Sequence, residues 1–182
     1  MADYISRKLQ VASRESVRAK VQSICERWLQ PLDRTGGENP FQLRDRLERI
    51  MWTKVGVVRN GKDMTAALPE IQDVRERVKS ASGSNGAIYN AKWNEAINTE
   101  NLTVIAEMLT RSALAREESR GAHYRSDFPE KDVRWLRNIC MQPLPDGDFK
   151  VSYLPVKFTR LTPEELKDWN KTLDSVSAVD DE

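Results

Sequence analysis

The chain is 182 residues long, enough for one domain with a substantial core and short appendages. Hydrophobic residues make up 39% and charged residues 31%, with only 8 Gly and 8 Pro, which excludes a disordered chain and points to a mainly α protein. The 29 Lys and Arg nearly balance the 28 Asp and Glu, so no global field draws the chain to nucleic acid or to an anionic membrane, and neither is an expected partner.

In chain order, Ile5, Leu9, Val17, Val21, Ile24 and Trp28 recur at helical spacing and predict a long amphipathic helix over 2–29, ended by Pro31 and Gly36-Gly37. It opens without a capping residue, as a helix trimmed from a longer one would. Asn39 as N-cap and Pro40 at the first helical position start a second helix, with Leu43, Leu47, Ile50, Met51, Val55 and Val58 on one face and Asn60-Gly61 as its stop. A third, over 63–80, aligns Met64, Leu68, Ile71, Val74 and Val78, with Pro69 in its second turn. Short connections favour antiparallel neighbours, so these three stripes are expected to bury one another in an up-down-up bundle.

A loop over 82–86 leads to a fourth helix, capped by Asn98, whose inner face reads Leu102, Ile105, Ala106, Leu109 and Ala113. Trp28 and Trp52 fall on predicted core faces, whereas Trp93 falls in a loop or short turn at the bundle edge. After Glu118 the periodicity gives way to a polar segment, 119–129. The runs 135–141 and 149–158 then form a hairpin turning at Asp146-Gly147, with Pro155 marking an edge strand. Thr162-Pro163-Glu164-Glu165 is a capping box for a short helix to about Trp169, and 175–182 is a frayed acidic tail. The expected division is a bundle over 1–118, an extension over 119–174 packed on it, and the tail.

Chemistry is sparse. Cys25 and Cys140 are far apart and fit neither a disulfide framework nor a C-x-x-C site, which suits a reducing, cytoplasmic compartment. No stretch approaches the roughly 18 apolar residues of a membrane span, so membrane attachment would come through partners. A single histidine, His123, excludes mechanisms that need two imidazoles. No H-E-x-x-H, calcium-loop, phosphate-loop or G-x-G-x-x-G pattern occurs, so no catalytic, metal or cofactor-binding residue is assigned and no nucleotide cofactor is housed by this chain alone. What remains is R-E-E-S-R-G-A-H-Y-R-S-D-F-P over 116–129. Arginine forks and carboxylates at this density pair with each other and with carbonyls, fixing an irregular segment, or they contact an anionic substrate directly. His123 reads as a satisfied hydrogen-bonding residue.

This segment resembles the R-x-E-S-R-G-A-H-x-R-x-D-x-P signature near the C-terminus of succinate dehydrogenase and fumarate reductase flavoproteins. M-W-T-K-V-G-V-V-R over 51–59 is similar to the family's M-W-x-x-x-G-(I/V)-x-R, and V-S-Y-L-P-V over 151–156 to its Y-x-P-V ending, with W-N-E-A over 93–96 leading to Asn101-Leu102 between them. The resemblance implies a three-helix, spectrin-repeat-like bundle with a fourth helical segment and a hairpin-like C-terminal extension. It also implies that FAD and the dicarboxylate-handling residues belong to an upstream flavin-binding domain of the same parent subunit. Arg116, Glu118, Ser119, Arg120, Gly121, His123, Arg125 and Asp127 then form a structural interface rather than a catalytic site. The implied partners are that flavin domain and an iron-sulfur subunit, in a complex peripheral on the cytoplasmic face of the inner membrane. An exposed former interface around Tyr4, Trp93 or the signature turn would be a surface through which an isolated fragment can dimerise. L-aspartate oxidase and adenylylsulfate reductase subunits share this layout. Two further readings stay open: a stand-alone helical interaction or assembly module, and a small bundle that holds an anion on its arginines.

Overall fold

A computed structural model of the chain describes residues 13–34, 36–83, 86, 88–144, 147–157, 159–160 and 165. Ile5, Leu9, Tyr4, Asp146, Thr162 to Glu164, Trp169 and the acidic tail therefore lie outside the described residues. Helix α1, Arg14–Leu29, is N-capped by Ser13, whose side chain accepts the Ser16 N–H. None of its residues is buried; Val17, Val21 and Trp28 are 49%, 54% and 41% exposed. The periodicity thus marks a helix correctly, but its described stripe is not buried, and Trp28 is not core.

The bundle is built instead from α2, Pro40–Lys54, α3, Gly61–Val78, and α4, Ala91–Ala115, each packing against the other two. Leu43, Leu47 and Ile50 of α2 meet Met64, Ala67, Ile71, Val74 and Val78 of α3, with Val55 closing one end. Asn39 caps α2 as expected, its side chain accepting the Phe41 N–H. Helix α2 stops earlier than the sequence suggested. The chain turns at Gly56, where an added Cβ would lie 2.5 Å from the Trp52 carbonyl oxygen, so a larger residue cannot make that approach. Asn60 is the N-cap of α3 rather than the end of α2, accepting the Asp63 N–H at 2.8 Å. Pro69 lies inside α3 on its exposed side.

Helix α4 begins at Asn90, whose side chain accepts the Trp93 N–H, so Asn98 is an exposed mid-helix residue and Trp93 lies in the first helical turn. Its buried face is Glu95, Ala96, Thr99, Thr103, Ala106, Glu107, Thr110 and Ala113. Of the predicted inner face only Ala106 and Ala113 are buried; Leu102, Ile105 and Leu109 point outward, 37%, 57% and 42% exposed. The bulky side chains of α2 and α3 already fill the interior, leaving room on α4 for small residues. Its threonine hydroxyls are satisfied locally, Thr103 donating to the Glu100 carbonyl and Thr110 to that of Ala106. The two buried acids are paired across the bundle, Glu95 with Arg44 of α2 at 3.2 Å and Glu107 with Arg75 of α3 at 2.9 Å. Trp52, 78% exposed, also leaves the core it was expected to join.

Two short strands, β1 (Val58–Arg59) and β2 (Tyr124–Arg125), pair in parallel, joining the α2–α3 connection to the segment after α4. Contacts divide the chain into two compact units, Met1–Pro129 and Glu130–Glu182. In the second, β3 (Arg137–Pro143) and β4 (Phe149–Pro155) form an antiparallel hairpin in which Arg137 faces Pro155 and Pro143 faces Phe149. The Arg137 guanidinium lies over both the Trp135 and Tyr153 rings, 4.4 Å from each centroid. No helix among the described residues is long and apolar enough to cross a membrane.

Candidate functional site

Where α4 ends beside the start of α3, the last carbonyls of one helix and the first N–H groups of the other need partners. The 116–129 segment supplies them. Arg125, 3% exposed, donates from Nη1 to the carbonyls of Leu114 and Arg116 at 2.7 and 3.1 Å, covering the C-terminal end of α4 with positive charge. Its Nε and Nη2 form a two-point pair with Asp127 at 2.9 and 2.6 Å, and the Phe128 ring lies 4.7 Å from the guanidinium. Asp127 in turn accepts the Gly61 N–H at 2.8 Å, at the N-terminus of α3. One Arg–Asp pair therefore serves opposite ends of two helices, each charge placed where the helix dipole favours it. The Arg125 guanidinium and the Gly61 N–H hold the Asp127 carboxyl at about 2, below its ordinary 3.8.

Glu118 is fully buried and shared by two arginines, Arg116 Nη1 at 2.5 Å and Arg120 through Nε and Nη2 at 2.9 and 3.0 Å. Ser119 accepts the Arg125 N–H and donates to the Phe128 carbonyl, both within 2.9 Å. Gly121, at φ +57, is the first residue of a two-residue turn closed by reciprocal backbone bonds between Arg120 and His123. His123 Nδ1 lies 2.8 Å from Arg59 Nη1, and its Nε2 lies 3.4 Å from the Arg116 carbonyl. A guanidinium can only donate, so Nδ1 is the acceptor and the ring is the neutral Nε2–H tautomer. Burial depresses the His123 pKa, and the nearby Arg59, Arg116 and Arg125 charges reinforce that direction against the Arg116 carbonyl.

All eight signature residues are thus brought together in one clamp. Arg59 and Gly61 belong to it although neither was among the predicted site residues; the readable sign was the arginine that ends the M-W-T-K-V-G-V-V-R stretch. Arg59 Nε also donates to the carbonyls of Val55 and Gly56, tying the end of α2 to the same node. Beside the clamp an open groove of about 1010 Å³ is lined by Met51, Trp52, Val55, Val57, Leu109 and Ala122, with Asp45, Glu48, Arg49 and Arg59 among its charged residues.

Bundle and clamp define a C-terminal helical domain of the succinate dehydrogenase and fumarate reductase flavoproteins, and the chain belongs to that family: residues 44–168 match the model of the fumarate reductase flavoprotein C-term. It is 32% identical over 170 residues to the fumarate reductase flavoprotein subunit of Mycobacterium tuberculosis, a match covering 90% of this chain and 29% of that protein. It is 36% identical over 120 residues to the fumarate reductase flavoprotein subunit of Helicobacter pylori, covering 64% of this chain and 17% of the relative. Among solved structures, a chain of the Sdh1 complex of Mycobacterium smegmatis superposes with a TM-score of 0.73 at 28% identity, over 89% of this chain and 28% of the other. The chain therefore spans less than a third of the length of these relatives.

The residues described do not fit FAD. A dinucleotide pyrophosphate needs a helix N-terminus with free N–H groups and a close glycine approach. Among the described residues all four α-helix N-termini carry side-chain caps, from Ser13, Asn39, Asn60 and Asn90, and Asp127 adds a carboxylate at the start of α3.

Proposed function

We propose that this chain is the non-catalytic buttress of an FAD-dependent succinate dehydrogenase or fumarate reductase flavoprotein subunit. It supports the flavin-binding domain of the same parent and borders the iron-sulfur subunit. The parent complex sits peripherally on the cytoplasmic face of the inner membrane. Arg116, Glu118, Ser119, Arg120, Gly121, His123, Arg125 and Asp127 set the shape of the end of the bundle that serves as this interface, and FAD and substrate are held elsewhere in the parent.

One observation carries the reading: the most buried charges of the signature, Glu118 and Arg125, are matched by partners within the same domain. A buried ion pair so arranged stabilises geometry and leaves little for a substrate carboxylate. The test is flavin retention and dye-linked turnover with succinate and with fumarate. The chain alone should elute from gel filtration without flavin and be inactive. Joined to a flavin domain of the same family, it should support both retention and turnover. Stoichiometric flavin on the isolated chain, or an active flavin domain indifferent to this one, refutes the proposal.

A further inference from the structure

We infer that His123 is an acid-release latch: neutral, it ties β1 to the C-terminal end of α4, and its protonation frees the signature turn from Arg59.

The geometry leaves the imidazole one role. Nδ1 must accept from Arg59 Nη1 at 2.8 Å while Nε2 faces the Arg116 carbonyl. A proton on Nδ1 converts that acceptor into a donor aimed at a donor, and sets an imidazolium against a guanidinium at hydrogen-bond distance. The charges around it come from every packed element: Arg59 from β1, Arg116 from the end of α4, and Arg125 from β2, all cationic. The two carboxylates of the clamp are engaged elsewhere, Glu118 with Arg116 and Arg120, and Asp127 with Arg125 and the Gly61 N–H. The charges that act on the imidazole are these three guanidiniums, so protonation sets it against Arg59 and the contact breaks.

Arg59 is the hinge of the junction. Its carbonyl accepts both the Ser126 N–H, at 2.8 Å, and the Ser126 hydroxyl, at 3.2 Å. Its register partner in β2 is Arg125. Losing the side-chain tie loosens this parallel pair and moves the Arg59 and Ala122 part of the apolar groove, while the helix cores persist.

The sign follows from linkage. The folded state holds His123 below its ordinary 6.5, so the tie is fully present above 6.5 and is lost as pH falls through the folded value. Because the chain has one histidine, its imidazole signals are unambiguous. Nitrogen-15 NMR should show Nδ1 unprotonated and Nε2 protonated at neutral pH, with a titration midpoint below 6.5. Hydrogen exchange, corrected for the intrinsic rate, should show the Ser126 opening constant rising by up to about tenfold for each unit fall in pH over the same interval, the slope of one linked proton. The Ile71 amide should stay protected, and His123→Gln should abolish the slope. A neutral Nδ1–H tautomer, a pH-independent Ser126, parallel loss at Ile71, or an unchanged slope in H123Q overturns the latch. If H123Q does not fold, the tautomer and exchange measurements on the unsubstituted chain decide alone.

Discussion

Replacing Arg125 by Ala removes one planar group that completes two helix ends at once. The loss is not a sum over its bonds, because they share one desolvation. Removing one partner of a buried pair costs about 3–5 kcal/mol when the other is left stranded. Asp127, however, has a side chain 35% exposed and can take up water, so that part is discounted. The carbonyls of Leu114 and Arg116 lose a charged donor inside the clamp, and hydrogen bonds to charged groups contribute about 1.5–3 kcal/mol. The expected loss is therefore about 3 kcal/mol. Urea unfolding followed by far-ultraviolet circular dichroism reads it directly, since the described α-helices all belong to the first unit. Arg125→Lys keeps the charge but not the fork, and should recover no more than about half. Lys79→Ala, which breaks an exposed i,i+3 pair with Glu76, should give no resolvable change. A loss below about 1 kcal/mol for R125A, or full recovery in R125K, would show that the clamp is not what closes the helix ends.

Asp127 titrates at about 2 against an ordinary 3.8, so its stabilisation is present above 3.8 and lost as pH falls through about 2; Asp127→Asn should flatten the acid limb of the circular dichroism titration there. Thr99 has no exposed surface, so Thr99→Leu should destabilise by about 1–3 kcal/mol through overpacking, whereas Ile105→Thr, at a site 57% exposed, should stay within about 0.5 kcal/mol in the same denaturation assay. At Gly37, φ is +142 and an added Cβ would fall 2.2 Å from the Ser80 carbonyl oxygen, so Gly37→Ala should lower stability by about 1–3 kcal/mol and reduce the thermal midpoint. Trp52→Ser removes a residue 78% exposed and should leave the urea midpoint nearly unchanged while reducing binding of a hydrophobic dye.

Periodicity located the four described α-helices, although it started α4 eight residues late at Asn98 rather than Asn90, and Asn39-Pro40 located the start of α2, because caps and stripes are local physics. Burial was less legible. Leu102, Ile105 and Leu109 form as good a helical stripe as any in the chain, yet α4 turns its threonines and alanines inward. Which of two faces is buried depends on how much volume the other helices have already supplied, and that is not a property of α4 itself. The same reasoning covers Trp28 and Trp52, whose spacing matched core positions but whose side chains are exposed. Asn60 and Asn98 show a different ambiguity: asparagine suits a helix stop, a cap and an exposed interior position, and only the backbone chooses. The signature's composition announced an ion-pair network, and its ion pairs are indeed local, but its hydrogen bonds to Arg59 and Gly61 span 64 to 67 residues, beyond any local pattern.

The hydroxyl-lined interior of α4 has a thermal consequence. Unfolding a bundle normally exposes mostly aliphatic surface, which raises the heat capacity by about 0.45 cal/K/mol per Å², whereas polar surface lowers it by about 0.26. In this domain one of three core helices releases Thr99, Thr103, Thr110, Glu95 and Glu107 into water rather than leucines. The heat-capacity increment should accordingly be smaller for its size than in a bundle with three aliphatic faces, and the dependence of stability on temperature broader and flatter.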